Sequence, residues 1–272
     1  MTYTLTGFEN TVAVVTGGGR MRSIGRPIAV ELARAGCDIV LTGTGRSPER
    51  YPEDEKAAGW RDIESVADEV RAQGRKALAL VSDVSDPKAV DTLVEQVYAE
   101  FGRCDFVINN AGAARGEDRV PVIELAVDAW MTVINVNLNG TFLMSRAFGQ
   151  RMVAEGKGGA IINISSIAGR MMAANTAAYS ASKAGIHALT CAMAKELGPS
   201  RIRVNAICPG LIDTSRMDSM RDTWDRVVSA IPLRVAGTGE QIAAAAVYLC
   251  SDQGAWTTGE LMTVDGGQVS MA

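Results

Sequence analysis

The chain has 272 residues, 47% hydrophobic and 21% charged, with a formal net charge of −4. That balance suits a soluble α/β domain with a large core, and the slight negative charge argues against a general nucleic-acid-binding surface. No apolar run reaches membrane-spanning length, the N-terminus lacks a signal-peptide pattern, and the five cysteines (Cys37, Cys104, Cys191, Cys208 and Cys250) lack metal-ligand spacing. Reduced, mostly buried thiols in a cytoplasmic protein are the expectation.

In chain order, the apolar run 12–16 predicts a strand. It enters the glycine-rich turn Gly17-Gly18-Gly19-Arg20-Met21-Arg22-Ser23-Ile24-Gly25 and then a helix over 25–35. Strand, glycine-rich turn and helix together expose backbone N–H groups and a positive helix end to a diphosphate. A second strand over 38–42 completes a βαβ unit and predicts a parallel sheet. Further strands are predicted over 77–81, 105–109, 160–165, 203–208 and 261–264. Helices are predicted over 60–73, 87–101, 124–154, 176–198 and 239–250, with Pro199 ending the helix 176–198. The stretch 44–60 carries Pro48, Pro52 and a charge cluster and reads as an inserted loop. There are no repeats or low-complexity tracts.

Tyr179 is followed four residues later by Lys183 within Ala178-Tyr179-Ser180-Ala181-Ser182-Lys183. On a helix the two share a face one turn apart. A phenol with a pKa of about 10 is a poor acid–base at neutral pH, and a neighbouring cation favours its phenolate. Such a pair suits making or breaking an alcohol O–H, although most bare pairs at this spacing lie on a solvated face. Upstream, Ile161-Ile162-Asn163-Ile164-Ser165-Ser166 predicts a buried strand whose end presents Ser166, with Ser165 the competing choice.

These blocks, with Asp83-Val84, Asn109-Asn110-Ala111-Gly112, Val136-Asn137-Leu138, Pro209-Gly210 with Thr214, and Val264-Asp265-Gly266-Gly267, resemble the classical short-chain dehydrogenases/reductases from about Phe8 to Gly267. The resemblance implies a single-domain Rossmann-type α/β fold, a doubly wound parallel sheet flanked by helices. It also implies a nicotinamide cofactor and hydride transfer between an alcohol and a ketone or aldehyde. Carried over, Tyr179 is the general acid–base, Lys183 tunes it and holds the nicotinamide ribose, Ser166 polarises the carbonyl, and Asn137 holds a water in a relay towards Lys183. Cofactor contacts are implied along Gly17, Ser23, Ile24, Asp83, Val84, Asn110, Ala111, Gly112, Tyr179, Lys183, Pro209, Gly210, Ile212 and Thr214.

The turn departs from the family pattern: it is two residues longer, and Ser23 stands where the middle glycine is usual. In this respect it looks like the enoyl-thioester reductases, but the four-residue Tyr179–Lys183 spacing argues for carbonyl chemistry. The Ser23 hydroxyl and Ile24 N–H are the expected diphosphate donors. At the end of the second strand, Gly43 and Thr44 offer no carboxylate for the adenosine ribose. Thr44, Arg46, and Arg20 or Arg22 suit a 2′-phosphate instead, so NADP(H) is favoured over NAD(H).

Residues 211–235, with Met217, Met220, Trp224 and Leu233, are expected to form a substrate lid. Arg115, Asp118, Arg119, Met171, Met172 and Asn175 are expected near the substrate. Phe142, Met144, Phe148 and Met152, with Ile186, Leu189 and Met193, put apolar groups on more than one face of two long helices. With the family resemblance of the C-terminal segment 261–272, they point to a homotetramer. His187 is expected to pack rather than catalyse. The competing reading is a non-catalytic dinucleotide sensor or scaffold of the same fold.

Overall fold

The computed structural model describes residues 4–269. Seven parallel strands form one sheet in the order β3-β2-β1-β4-β5-β6-β7. They are β1 (Val12–Thr16), β2 (Asp38–Gly43), β3 (Ala77–Val81), β4 (Phe106–Asn109), β5 (Gly159–Ile164), β6 (Ile202–Pro209) and β7 (Leu261–Val264). The helices are α1 (Gly25–Ala35), α2 (Glu53–Ala57), α3 (Ile63–Ala72), α4 (Pro87–Phe101), α5 (Val127–Ile134), α6 (Gly140–Glu155), α7 (Ala177–Leu197), α8 (Trp224–Ser229) and α9 (Gly239–Cys250).

The two-residue period of the strands sorts their side chains into two cores. Ala13, Val15, Ile39, Leu41, Ile108 and Ile162 face α1, α3 and α9, where they meet Ile28, Leu32, Val66, Val70 and Ile242. Val12, Val14, Val40, Val107 and Ile161 face the other way, against Leu93 and Val97 of α4 and Met144, Phe148 and Met152 of α6. Strands covered on both faces read as unbroken apolar runs, which is why the sequence shows them so clearly.

The long helix expected over 124–154 is divided. A π-helical turn, Asn135–Asn139, separates α5 from α6. Its wider backbone ring displaces one residue and re-aims the chain at Asn137. The helix expected over 60–73 begins only at Ile63, after Asp62 at φ 52°. α7 ends at Leu197, and Pro199 sits in a short 3₁₀ turn that leads into β6.

The segment expected as a loop over 44–60 carries α2 and is tied to the glycine-rich turn. Glu55, 1% exposed, accepts from the Met21 N–H at 2.9 Å and pairs with Arg46 at 2.9 Å. Trp60 Nε1 donates to the Gly19 carbonyl at 2.6 Å, and the Arg26 guanidinium lies over the Trp60 ring.

Candidate active site

Strand order reverses between β1 and β4, so their C-terminal ends splay apart and open a crevice. The turn after β1 is shaped to approach the turn after β4. Gly17 has φ +66°, and a Cβ there would meet the Ala111 Cα at 2.8 Å. Asn110 Nδ2 donates to the carbonyls of Thr16 and Gly17, while Thr16 Oγ1 accepts from the N–H groups of Asn110 and Ala111. These bonds lock the Asn109-Asn110-Ala111-Gly112 segment against the glycine-rich turn.

Two adjoining cavities occupy the crevice. The larger, about 550 Å³, takes in Gly17, Arg20, Ser23, Ile24, Thr44, Arg46, Asp83, Val84, Asn110, Ala111, Gly112, Tyr179, Lys183 and Thr214 from the sequence-based set. The smaller, about 330 Å³, takes in Asn137, Ser166, Pro209, Gly210 and Ile212. Tyr179 and Thr214 border both. The expected catalytic and cofactor residues are thus gathered along one crevice, with Tyr179 at its junction.

α7 sets the catalytic geometry. Tyr179 and Lys183 lie on one helical face, with the Lys183 Nζ 5.7 Å from the centre of the Tyr179 ring. Lys183 is buried and donates to the Ile164 carbonyl at 2.8 Å. Burial, and secondarily Arg216, pushes its ammonium down from 10.5 to about 7. The Ser166 Oγ accepts from the Ala168 N–H at 3.0 Å, which leaves its own proton free for an oxygen in the cavity. Ser165, the competing choice, donates instead to the Lys183 carbonyl at 3.1 Å. Its proton is spent on holding α7 to the end of β5.

The Asn137 side chain is held at both its oxygen and its nitrogen. Its Oδ1 accepts from the Ala113 N–H at 2.8 Å and its Nδ2 donates to Ser182 Oγ at 3.0 Å. Its main-chain carbonyl accepts from Thr141 Oγ1 at 2.7 Å.

Several expectations need correction. The Ser23 hydroxyl donates to the Arg20 carbonyl and accepts from the Arg26 N–H, so it has no proton left for a diphosphate. Arg46 is held by Glu55 and Asp62 and is not a free cation. Arg22 pairs with Asp54 and Asp218, tying the glycine-rich turn to both the inserted segment and residues 211–235. Of the side chains expected at the substrate, Arg115, Asp118, Arg119, Met171 and Met217 border the smaller cavity, whereas Met172, Asn175, Met220, Trp224 and Leu233 do not. Of the lid residues in that last group, Met220 lies on a 3₁₀ segment, Trp224 begins α8 and Leu233 lies on irregular backbone, so their near-helical spacing does not produce a common face.

The sequence reading missed Arg216, which borders both cavities, and Arg50, which borders the larger. An arginine two places after Thr214, beside Met217, was the available signal for Arg216.

The larger cavity has the form and polarity of a dinucleotide site. Thr42 and Ser215 border it, although their hydroxyls are sealed from solvent and find no protein partner among the described residues. Arg20 also borders it, and burial with the nearby Arg46 and Arg216 lowers the pKa of that guanidinium, a sign of crowded positive charge that phosphates would relieve.

The arrangement defines a dinucleotide-fold oxidoreductase, and comparison with known proteins gives its family. A family model described as enoyl-(acyl carrier protein) reductase matches residues 17–268. The chain is 35% identical to the 3-oxoacyl-(acyl-carrier-protein) reductase FabG of Pseudomonas aeruginosa, covering 95% of this chain and 97% of that protein. It is 34% identical to the 2-dehydro-3-deoxy-D-gluconate 5-dehydrogenase of Dickeya dadantii, covering 95% of each. The crystal structure of acetoin dehydrogenase from Enterobacter cloacae superposes with a TM-score of 0.79 at 35% identity, covering 95% of both chains. This chain belongs to the classical short-chain dehydrogenase/reductase family and is an oxidoreductase that works by hydride transfer with a nicotinamide dinucleotide.

Proposed function

We propose that the protein interconverts a secondary alcohol and its ketone, or a primary alcohol and its aldehyde, with Tyr179 as general acid–base. The observation that carries this reading is the junction of the two cavities at Tyr179, with Lys183 behind it and the free Ser166 hydroxyl on the substrate side. The nicotinamide supplies or accepts the hydride when bound. Tyr179 gives its proton to the nascent alkoxide during reduction and takes it back during oxidation. Ser166 donates to the same oxygen, where charge develops, and so favours the transition state over the ground state. Lys183 holds positive charge near the phenol oxygen and is placed to reach the ribose hydroxyls. The π turn sets Asn137 so that its carbonyl borders the path by which a proton reaches Lys183.

NADP(H) is the favoured cofactor. Arg20 and Arg50 border the larger cavity, and neither has a carboxylate partner among the described residues. Together they suit a 2′-phosphate better than a bare ribose. Residues 44–60 clamp the adenosine end of this site, and residues 211–235 form a lid over its nicotinamide end. The assembly we favour is a homotetramer acting in the cytoplasm on a small molecule.

The test is turnover of a carbonyl panel with NADPH and NADH, wild type against Tyr179→Phe. The substitution removes only the exchanging hydroxyl and should lower kcat by about 10²–10⁴ while cofactor affinity holds. Unchanged turnover would remove Tyr179 from the mechanism. Cofactor binding by the wild type with no turnover across the panel would favour a dinucleotide sensor.

A further inference from the structure

The smaller cavity is bordered by three arginines, Arg115, Arg119 and Arg216, and one acid, Asp118. Their charges are not equally available. Asp118 is 4% exposed and is ion-paired with Arg119, whose guanidinium also stacks over the Tyr179 ring at 4.6 Å. Arg119 is therefore neutralised and fixed, and Asp118 is spent. Arg115 lies exposed near the rim, against Met220.

Arg216 differs from both. Among the described residues it has no carboxylate partner, and its only bonds run from Nη2 to the carbonyls of Gly112 and Ala113. Those carbonyls fix the plane of the guanidinium over the Gly112 Cα, where an added Cβ would meet Nη2 at 3.3 Å and Nη1 at 3.5 Å. Nη1 and Nε have no protein acceptor among the described residues, and neither is sealed away as a buried orphan. A guanidinium anchored on one edge presents its other donors as a planar fork, the geometry that grips a carboxylate or phosphate with two parallel bonds. The rest of the wall is largely apolar, including Val133, Ile167, Leu211 and Val227.

We propose that Arg216 is the specificity determinant of this enzyme and that its preferred substrate is a compact carbonyl or alcohol with an apolar body and one carboxylate or comparable oxyanion, gripped by Arg216. The proposal rests on the hydride-transfer reading above. It extends that reading by naming the charge the substrate carries. A neutral ketone of the same shape leaves the Arg216 fork unpaired in a partly desolvated site, so the protein discriminates against it. Because Arg216 also borders the cofactor cavity, the cofactor diphosphate is the other oxyanion within its reach, and the experiment separates the two.

Protein saturated with NADP⁺ binds ketones without turning them over, so affinity is read directly by calorimetry. The probes are 4-acetylbenzoate against 4-acetylbenzamide and benzoylformate against its amide. These two pairs place the charge at different distances from the carbonyl. Wild type should bind at least one carboxylate about tenfold or more tighter than its amide. Arg216→Gln should bring that ratio to about one, and Arg216→Lys, which keeps the charge but not the fork, should restore part of it.

NADPH affinity, followed by fluorescence, should change less in both variants than carboxylate affinity does. A larger loss of NADPH than of carboxylate affinity would assign Arg216 to the diphosphate and overturn the proposal. So would a carboxylate preference that survives in Arg216→Gln. Carbonyl turnover by wild type without any carboxylate preference would sink this inference and leave the proposed function standing. A carboxylate preference with no turnover of any carbonyl would do the reverse.

Discussion

Lys183 places an ammonium where water does not reach it, and that has a consequence for stability as well as for chemistry. Its pKa falls from 10.5 to about 7 because burial penalises the charged form and Arg216 repels it. A cation whose pKa drops on folding destabilises the folded state while it is protonated. That penalty is complete below about pH 7 and fades as pH rises towards the unfolded value near 10.5. Lys183→Met should therefore raise the melting temperature of the cofactor-free protein at about pH 6. Its advantage should shrink steadily towards about pH 10.5, where both states of the wild type are neutral. The lost bond to the Ile164 carbonyl costs about 1 kcal/mol at every pH and does not mimic this slope. Calorimetry at several pH values decides, and a shift of constant size would mean that the ammonium is not its source.

At the scale of elements, two packing arrangements hold the crevice in shape. α6 supports the sheet under the substrate side through Met144, Phe148 and Met152, all essentially inaccessible. Phe148→Ala should lower unfolding stability by about 3–5 kcal/mol through lost burial and the cavity left behind. Urea titration measures it, and a loss under about 1 kcal/mol would show that the site collapses to fill the space. On the adenosine side, the inserted segment holds the glycine-rich turn through Glu55. Glu55→Ala leaves the Met21 N–H without its acceptor and strips Arg46 of one of its two carboxylates. Breaking that buried pair should cost about 3 kcal/mol and weaken dinucleotide binding several-fold. Unaltered cofactor affinity in a folded Glu55→Ala protein would reduce the segment to a surface excursion.

Over the whole molecule, the apolar surface points to association. The residues that suggested it need revision, since Met144, Phe148, Met152 and Ile186 are buried within this chain. Exposed apolar residues on α5 and α6 are Val127 at 74%, Met131 at 43%, Phe142 at 46% and Val153 at 42%. Within the described part of the C-terminal segment, residues 261–264 continue the sheet as β7, and 270–272 lie outside the described residues. The proposed homotetramer would place a second copy on the α5–α6 face and a second two-fold contact near β7, which together would make a D₂ assembly. Light scattering at low micromolar concentration should find tetramer mass for the wild type and a smaller species for Phe142→Glu. A wild-type monomer would refute the assembly. Among the described residues, no helix is long and apolar enough to cross a membrane.

Period-two and period-3.6 patterns are properties of neighbouring residues, so β1, β3, α1, α4, β7 and α9 were legible with their ends. So was the pairing of Tyr179 with Lys183, because a four-residue spacing on a helix is a local fact. The roles of Ser166 and Asn137 came from the family likeness of their motifs, and the Ser166–Ser165 choice rests on which hydroxyl keeps its proton, a matter of packing. The break at Asn135–Asn139 was not legible, since no proline or glycine marks it before Gly140. Nor was the engagement of Arg46, whose partners Glu55 and Asp62 meet it only in the folded chain. Arg216 illustrates the limit most directly. The sequence by itself determined that a guanidinium follows Thr214; only the tertiary structure set it over Gly112, near Tyr179 and without an ion-pair partner among the described residues. A charge's function depends on the groups that reach it, and the carbonyls that anchor Arg216 come from a segment about a hundred residues away.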